Sequence, residues 1–321
     1  MYVHLNVKFW FGYFFLILNF YSAAQDSIPA GEHVVPAIHK NVKARQTFVA
    51  IGSATIYTSS FLALNSAWYK DYPRSSFHTF NDSREWLQID KVGHAWTAYT
   101  TGRLTSAIWK WAGKQEGAAT LLGTGTSLGY MLAIEYLDGR SSEWGWSWAD
   151  VAADVAGAGL YAGQQLVWHS QPLQLKFSSH YQRYPSHDLR TRANDLFGKS
   201  LPERLLKDYN AQAYWLSANI NSLLTSKFFP AWLNISVGYG AQGLYGGYTN
   251  IAYNEQGLVN FNRSDVARRR QFYLAPDVDL TKIRTKSKAL KTVLTALNAI
   301  KFPAPALELS SGKLRVRAIV F

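Results

Sequence analysis

Two neighbouring stretches decide the fold that this sequence predicts: Val92–Trp111, VGHAWTAYTTGRLTSAIWKW, and Gly117–Ile134, GAATLLGTGTSLGYMLAI. In the first, apolar and aromatic residues recur every three or four positions, which is the spacing of one helix face. The second has no charged residue and contains four glycines, which let helices approach one another closely. Both stretches therefore predict long helices that pack tightly.

The same pattern extends on both sides of these stretches. Thr47–Tyr69 carries no charge, and Trp148–Trp168 follows a break rich in Gly and Ser at Asp138–Gly145. We expect residues 25–170 to form a helical bundle. Its uncharged helices suit either a membrane or the core of a soluble bundle. The 12 Trp and 19 Tyr of the chain favour embedding, because such side chains collect at membrane interfaces.

The N-terminus has the pattern of a cleaved secretory signal. Lys8 precedes an uncharged, largely apolar run at residues 9–20, and small residues precede a cleavage point after Ala24. The run is short for a membrane helix, which needs about 20 apolar residues. We therefore predict a signal peptide at residues 1–24 and export of the mature chain.

Residues 171–321 predict a smaller mixed region with a few short strands, so that the fold class expected is mainly α. Tyr209–Ser226 suits a helix, whereas Trp232–Tyr248, with five glycines among aromatic and β-branched residues, suits a strand or extended loop. Leu280–Ile300 predicts a basic amphipathic helix. Leu314–Phe321 is strand-like, but no series of ten-residue alternating segments precedes it, so a membrane barrel is not predicted.

Charge and cysteine content restrict the partners. Residues 260–321 hold 13 Lys and Arg against 4 Asp and Glu, within a chain of net charge +12. In an exported protein this basic region predicts contact with the envelope membrane or an anionic envelope polymer, not nucleic acid. The sequence has no cysteine, which excludes thiolate metal sites and cysteine nucleophiles. It does not predict an oligomeric state.

Acidic residues and one histidine form pairs at one-turn spacing on three predicted helices. Residues three or four apart lie on the same helix face, so the three pairs can converge on one interior point. Carboxylates with an imidazole suit a hard or borderline divalent cation, or general acid/base work. A closed ion-pair network is the structural alternative. The candidate residues are Asp90, Lys91, His94, Glu135, Asp138, Asp150 and Asp154, with His94, Glu135 and Asp138 as candidate metal ligands.

Two separated motifs resemble the YfiM family of predicted envelope lipoproteins, which has no assigned function. Asp90-Lys91-Val92-Gly93-His94 resembles its D-K-x-x-H opening, and residues 135–157, EYLDGRSSEWGWSWADVAADVAG, resemble its second signature. The remainder is similar to the longer form of the family found in Bacteroidetes. The order of elements is distantly similar to that of VanZ-like membrane proteins. With the export signal, the resemblance implies the periplasm or a cell-envelope membrane of a Gram-negative bacterium, and one shared site for the candidate residues. It implies no reaction.

Two functions remain open from the sequence. The first is a membrane-associated envelope protein whose polar cluster binds an ion or small ligand, or stabilises the bundle. The second is a metal-dependent hydrolase or transferase acting on envelope lipid or cell-wall material. The second requires an open coordination position and a pocket that admits the substrate.

Overall fold

The computed structural model describes residues 41–65, 69, 73–224, 228–254 and 256–320. The signal peptide predicted at residues 1–24 lies outside them. The α-helices are α1 (Val42–Leu64), α2 (Ile89–Trp111), α3 (Glu116–Asp138), α4 (Trp148–Trp168), α5 (His187–Phe197), α6 (Leu201–Lys207), α7 (Ile220–Leu224) and α8 (Lys288–Leu297). The strands are β1 (Leu173–Ser179), β2 (Gln212–Asn219), β3 (Leu233–Gln242), β4 (Ile251–Tyr253), β5 (Val259–Asn262), β6 (Arg269–Val278), β7 (Ala304–Ser310) and β8 (Lys313–Val320).

The chain forms two compact units. The first takes the described residues up to Asp82, then Thr97–Gln171 and Arg284–Ala296. The second takes Ser83–Trp96, Pro172–Ile283 and Leu297–Phe321. Helix α2 therefore begins in the second unit and continues into the first.

The first unit is helical, as the sequence predicts for this part of the chain. Small residues bring α2 and α3 together, because a Cβ at Gly123 would lie 2.6 Å from the carbonyl oxygen of Gly102. Ser127 of α3 donates to the Ala98 carbonyl of α2 at 2.8 Å. Helix α1 joins them through the Tyr57 hydroxyl, which lies 2.6 Å from the Thr105 hydroxyl. Polar contacts between small residues thus accompany the apolar cluster that Ala98, Met131 and Ala158 form in this unit.

Among the described residues, one helix is long and apolar enough to cross a membrane by length and composition. This helix is α1, and only 6% of the residues in its most apolar stretch are buried. For the uncharged stretch at Gly117–Ile134 the sequence left a membrane helix and a soluble core helix open, and within the described part of the chain this stretch is not among the helices apolar enough to cross a membrane.

The expectation of a mainly helical fold with a few short strands is wrong. The second unit contains a six-stranded antiparallel sheet in the order β1-β2-β3-β6-β7-β8, beside a separate β4-β5 pair. Strands β3 and β6 are ten residues long and pair along their whole length. This sheet is a major part of the fold, since six strands from residues 171–321 pair side by side in it.

The helix predicted at Tyr209–Ser226 is also wrong over most of its length. Gln212–Asn219 forms β2, which pairs with β1 on one side and β3 on the other. The side chains of Tyr214 and Trp215, at its centre, project to opposite faces of the sheet. Each is buried there in a different hydrophobic cluster. Burial on alternate sides outweighs the local preference of this segment.

The predicted amphipathic helix at Leu280–Ile300 is shorter than expected. A short 3-10 turn covers Leu280–Lys282, and the α-helix begins only at Lys288. Asp279 caps the turn by accepting a hydrogen bond from the Thr281 amide at 3.0 Å. The next residue, Ile283, has an extended backbone, so the helical turn ends there.

Candidate functional site

Helix α2 begins with a strained turn directly before the first candidate residues. Trp86, Leu87 and Gln88 have φ values of 49°, 52° and 64°, a left-handed conformation that costs roughly 1–2 kcal/mol per non-glycine residue. The turn is fixed by its surroundings. The Trp86 amide donates to the Gly247 carbonyl at 2.8 Å, and the Tyr239 hydroxyl donates to the Leu87 carbonyl. Backbone strain next to polar side chains is a feature that clusters at functional sites.

Asp90 lies in the first turn of α2 and is held by side chains of the second unit. The Tyr209 hydroxyl donates to Asp90 Oδ1 at 2.7 Å, and the Lys91 ammonium pairs with Oδ2 at 3.0 Å. Burial opposes ionisation of Asp90, but His94, Lys91 and the Tyr209 hydroxyl together hold its pKa below the usual range. Asp90 is therefore an anion at neutral pH.

Gly93, directly before His94, lies where α2 packs against a buried tyrosine and a side chain would not fit. A Cβ at this position would lie 2.9 Å from the Tyr214 hydroxyl, which is buried against this turn of the helix. Burial, and to a smaller degree the charge of Asp90, raises the pKa of Tyr214, so its hydroxyl stays protonated. The glycine allows α2 to pack closely on β2 while His94, half-buried, occupies the next position.

The first unit supplies three buried carboxylates from α3 and α4. Glu135 is 1% exposed, Asp150 5% and Asp154 0%. Ser147, the N-cap of α4, contacts one of these carboxylates directly, because its amide donates to Glu135 Oε2 at 3.1 Å. Its hydroxyl caps the helix by accepting from the backbone amide of Asp150 at 3.1 Å. The Ser147 hydroxyl in turn donates to Asp82. Asp150 also lies in the first turn of α4, where the helix dipole favours a negative charge.

Two groups of candidate residues are close enough to hold a metal ion. The ligand atoms of Asp90, His94 and Asp150 all lie within 4.8 Å of one another, and so do those of His94, Glu135 and Asp154. His94 belongs to both groups. An ion bonded to carboxylate and imidazole atoms at about 2.0–2.6 Å requires ligand atoms of this mutual spacing.

The remaining sequence candidates lie outside both groups. Asp138, at the end of α3, accepts a hydrogen bond from the Tyr69 hydroxyl at 2.7 Å. Lys91 is buried and pairs with Asp90. Tyr209 and Asp82 were not predicted as site residues, because each reaches its partner only through the tertiary fold. Tyr209, for example, follows Asp90 by 119 positions.

One family model matches part of the chain. Residues 79–163, about a quarter of the sequence, match a family described as a predicted periplasmic lipoprotein, DUF2279, whose function is unknown. The matched segment includes every candidate residue. No curated protein and no solved structure matches the chain. The sequence has no cysteine to carry the lipid that the family description names. The description agrees with the predicted location, which is confirmed as the periplasm or cell envelope.

Proposed function

We propose that this protein binds a divalent cation through His94, Glu135 and Asp154, and that Asp90 and Asp150 form with His94 a second group of candidate ligands. The observation that supports this most directly is the sharing of His94 by two ligand groups, each within 4.8 Å. Carboxylates so close together repel one another unless protons or a cation hold them. One imidazole with several carboxylate oxygens suits Mn²⁺, Fe²⁺ or Zn²⁺.

The surroundings supply a rigid frame for such a site. Ser147 fixes Glu135 and the start of α4, while Tyr209 and Lys91 fix Asp90. Partners of this kind orient ligands and raise metal affinity. The site is proposed to serve a membrane-associated envelope protein, in which α1 and the basic C-terminal region contact the membrane or an anionic polymer. The finer resemblance to the YfiM and VanZ-like families remains a prediction.

The alternative, a metal-dependent hydrolase or transferase, uses the same residues. It rests on the sequence interpretation and on the metal-ligand types, since no feature of the described residues identifies a substrate. A cation site is the common requirement of both hypotheses, so it is the first property to measure.

The test is elemental analysis together with titration of Mn²⁺ and Zn²⁺ into the metal-stripped full chain. We expect one ion per chain, lost in His94→Ala and Glu135→Gln. Asp138→Asn is the matched control, because Asp138 lies on the same helix as Glu135 but outside both groups. It should keep the ion.

Two outcomes would contradict the proposal. Uptake of neither metal by the wild type, together with easier unfolding of His94→Ala, would show that the cluster is a structural network. Equal loss of metal in Asp138→Asn and Glu135→Gln would place the ion elsewhere.

A further inference from the structure

The six-stranded sheet of the second unit has an inverted distribution of polarity. We call the side that carries the side chain of Val237 its outward face and the opposite side its inward face. The strand register places one unbroken apolar row on the outward face, with one residue from each strand: Leu175, Leu216, Val237, Leu274, Leu307 and Val316. The five from β2 to β8 are all exposed, Val237 by 56% and Leu274 by 48%.

The inward face is covered and largely polar, around a small buried cluster of Trp215, Tyr273 and three alanines. Lys176 and Asp277, each 0% exposed, form an ion pair at 2.7 Å, and Lys301 lies 3.7 Å from the other oxygen of Asp277. Further buried positions of this face are occupied by Gln174, Ser217, Asn219, Asn234, Ser236, Gln271 and Glu308. A sheet with one face in water normally buries its apolar side and exposes its polar side.

The sheet curls until its first strand meets the chain that leads into β7. The Phe177 amide of β1 donates to the Ala299 carbonyl at 2.9 Å, and the Lys301 amide donates to the Phe177 carbonyl at 2.8 Å. This return encloses the inward face. The ammonium of Lys301 lies over the Trp215 ring at 5.0 Å, within the enclosed side.

We propose that the outward face of this sheet is a lipid-contacting surface, seated among the acyl chains of an envelope membrane. The support for this proposal is that the exposed face is apolar and the buried face largely polar. Strands that alternate in this way occur where the outer medium is hydrocarbon. On β3 and β6 the outward positions between Ile235 and Tyr239, and between Phe272 and Pro276, hold no charged residue.

The length of the two central strands and the residues at their ends fit a membrane. Strands β3 and β6 have ten residues, and membrane strands have about 9–11. From Leu233 to Val237 the apolar stretch measures about 13 Å at the usual rise per residue. Beyond it, Tyr239 is half-buried against the start of α2. The exposed Arg269 and Arg270 stand at one end of β6, and Trp232 stands at the other end, before β3. Basic and aromatic side chains are the groups that bind lipid headgroups.

Lipid explains this surface better than a soluble partner. A protein partner would cover the apolar row but would leave unexplained why the enclosed side holds lysines and carboxylates. The location in the periplasm or envelope places a membrane within reach of the chain. The proposal is independent of the cation site, because it uses residues of the sheet alone.

The absence of cysteine from the sequence makes a direct test simple. Single variants Val237→Cys and Leu274→Cys of the full chain would each carry a nitroxide label. The matched control is Gln256→Cys, in an exposed turn of the same unit. In vesicles of phosphatidylethanolamine and phosphatidylglycerol, we expect the first two labels to be accessible to oxygen and shielded from a water-soluble nickel complex. The label at position 256 should show the reverse.

A second variant tests the energetics. Val237→Lys should lower partition into the same vesicles at least tenfold, because a lysine facing hydrocarbon is strongly unfavourable, whereas Gln256→Lys should leave it unchanged. Free access of the nickel complex to positions 237 and 274 in vesicle-treated protein would overturn the proposal. Magnetic coupling between labels of different copies would also overturn it, since it would assign the face to a second copy of the chain.

Discussion

Asp277→Asn tests whether charge pairing holds the enclosed side of the sheet together. Asp277 Oδ2 contacts the Lys176 ammonium at 2.7 Å and accepts a hydrogen bond from Ser217 at 2.6 Å, and all three side chains are buried. Asparagine keeps the shape and can keep the bond to Ser217. The change therefore removes the charge and little else.

The expected cost follows from the charges left behind. Removing one partner of a buried ion pair costs about 3–5 kcal/mol, because the other charge remains buried without compensation. Since asparagine keeps part of the hydrogen bonding, we expect about 3 kcal/mol, near the lower limit of that range. Lys301 adds to the cost: burial already lowers its pKa, and the charge of Asp277 works against that shift.

Hydrogen exchange is the suitable assay, because it reports the opening of one unit in a two-unit chain. Amides of β2, β3 and β6 should exchange about a hundredfold faster in Asp277→Asn. Asp265→Asn is the control, since Asp265 pairs with Arg263 at 2.9 Å on the surface, where an ion pair contributes little to stability. Adding Lys176→Met to Asp277→Asn should recover about half of the loss. Equal exchange rates in the Asp277 and Asp265 variants would refute the reasoning.

Two further predictions concern packing and pH. Gly238→Ala should destabilise the sheet by about 1–3 kcal/mol, because the new Cβ would lie 2.5 Å from the Trp215 ring, whereas Gly240→Ala, with its nearest contact at 3.3 Å, should cost less in a matched thermal unfolding comparison. At Asp188, hydrogen bonds and Arg263 lower the carboxyl pKa to about 2. Its contribution to stability should be complete above about pH 4 and lost as pH falls towards 2, a loss absent from acid titrations of Asp188→Asn.

The helical unit was largely predictable from sequence. The 3.6-residue period at Val92–Trp111 and the uncharged run at Gly117–Ile134 both belong to helices, and the break at Asp138–Gly145 separates α3 from α4. Helices are encoded by neighbouring residues, so their signal survives in a single sequence. Ser147 even carries its N-cap chemistry in the sequence itself.

The sheet was predictable only in part. Trp232–Tyr248 and Leu314–Phe321 were expected to be extended, and both contribute strands. The segment Gln212–Asn219 was not, because its partners β1 and β3 lie in other parts of the sequence and the pairing supplies what the local pattern lacks.

The candidate site shows the same division. One-turn spacing correctly places Asp150 and Asp154 on one helix, and the position of each pair on its helix follows from local sequence. Tyr209, which holds Asp90, comes from a loop after α6 and left no local signal. The left-handed turn at Trp86–Gln88 was equally hidden, since non-glycine residues rarely adopt it.

The inverted sheet shows what alternation alone cannot decide. Leu173–Ser179, LQLKFSS, alternates like an ordinary amphipathic strand, and a period of two shows that a strand has two unlike faces. It does not show which face is enclosed. In the structure, the chain at Ala299 and Lys301 pairs with Phe177, and the enclosed face of β1 is the one that carries Lys176. The sequence of β1 alone therefore predicts a strand that buries its leucines and exposes its lysine, whereas in the structure Lys176 is the fully buried residue.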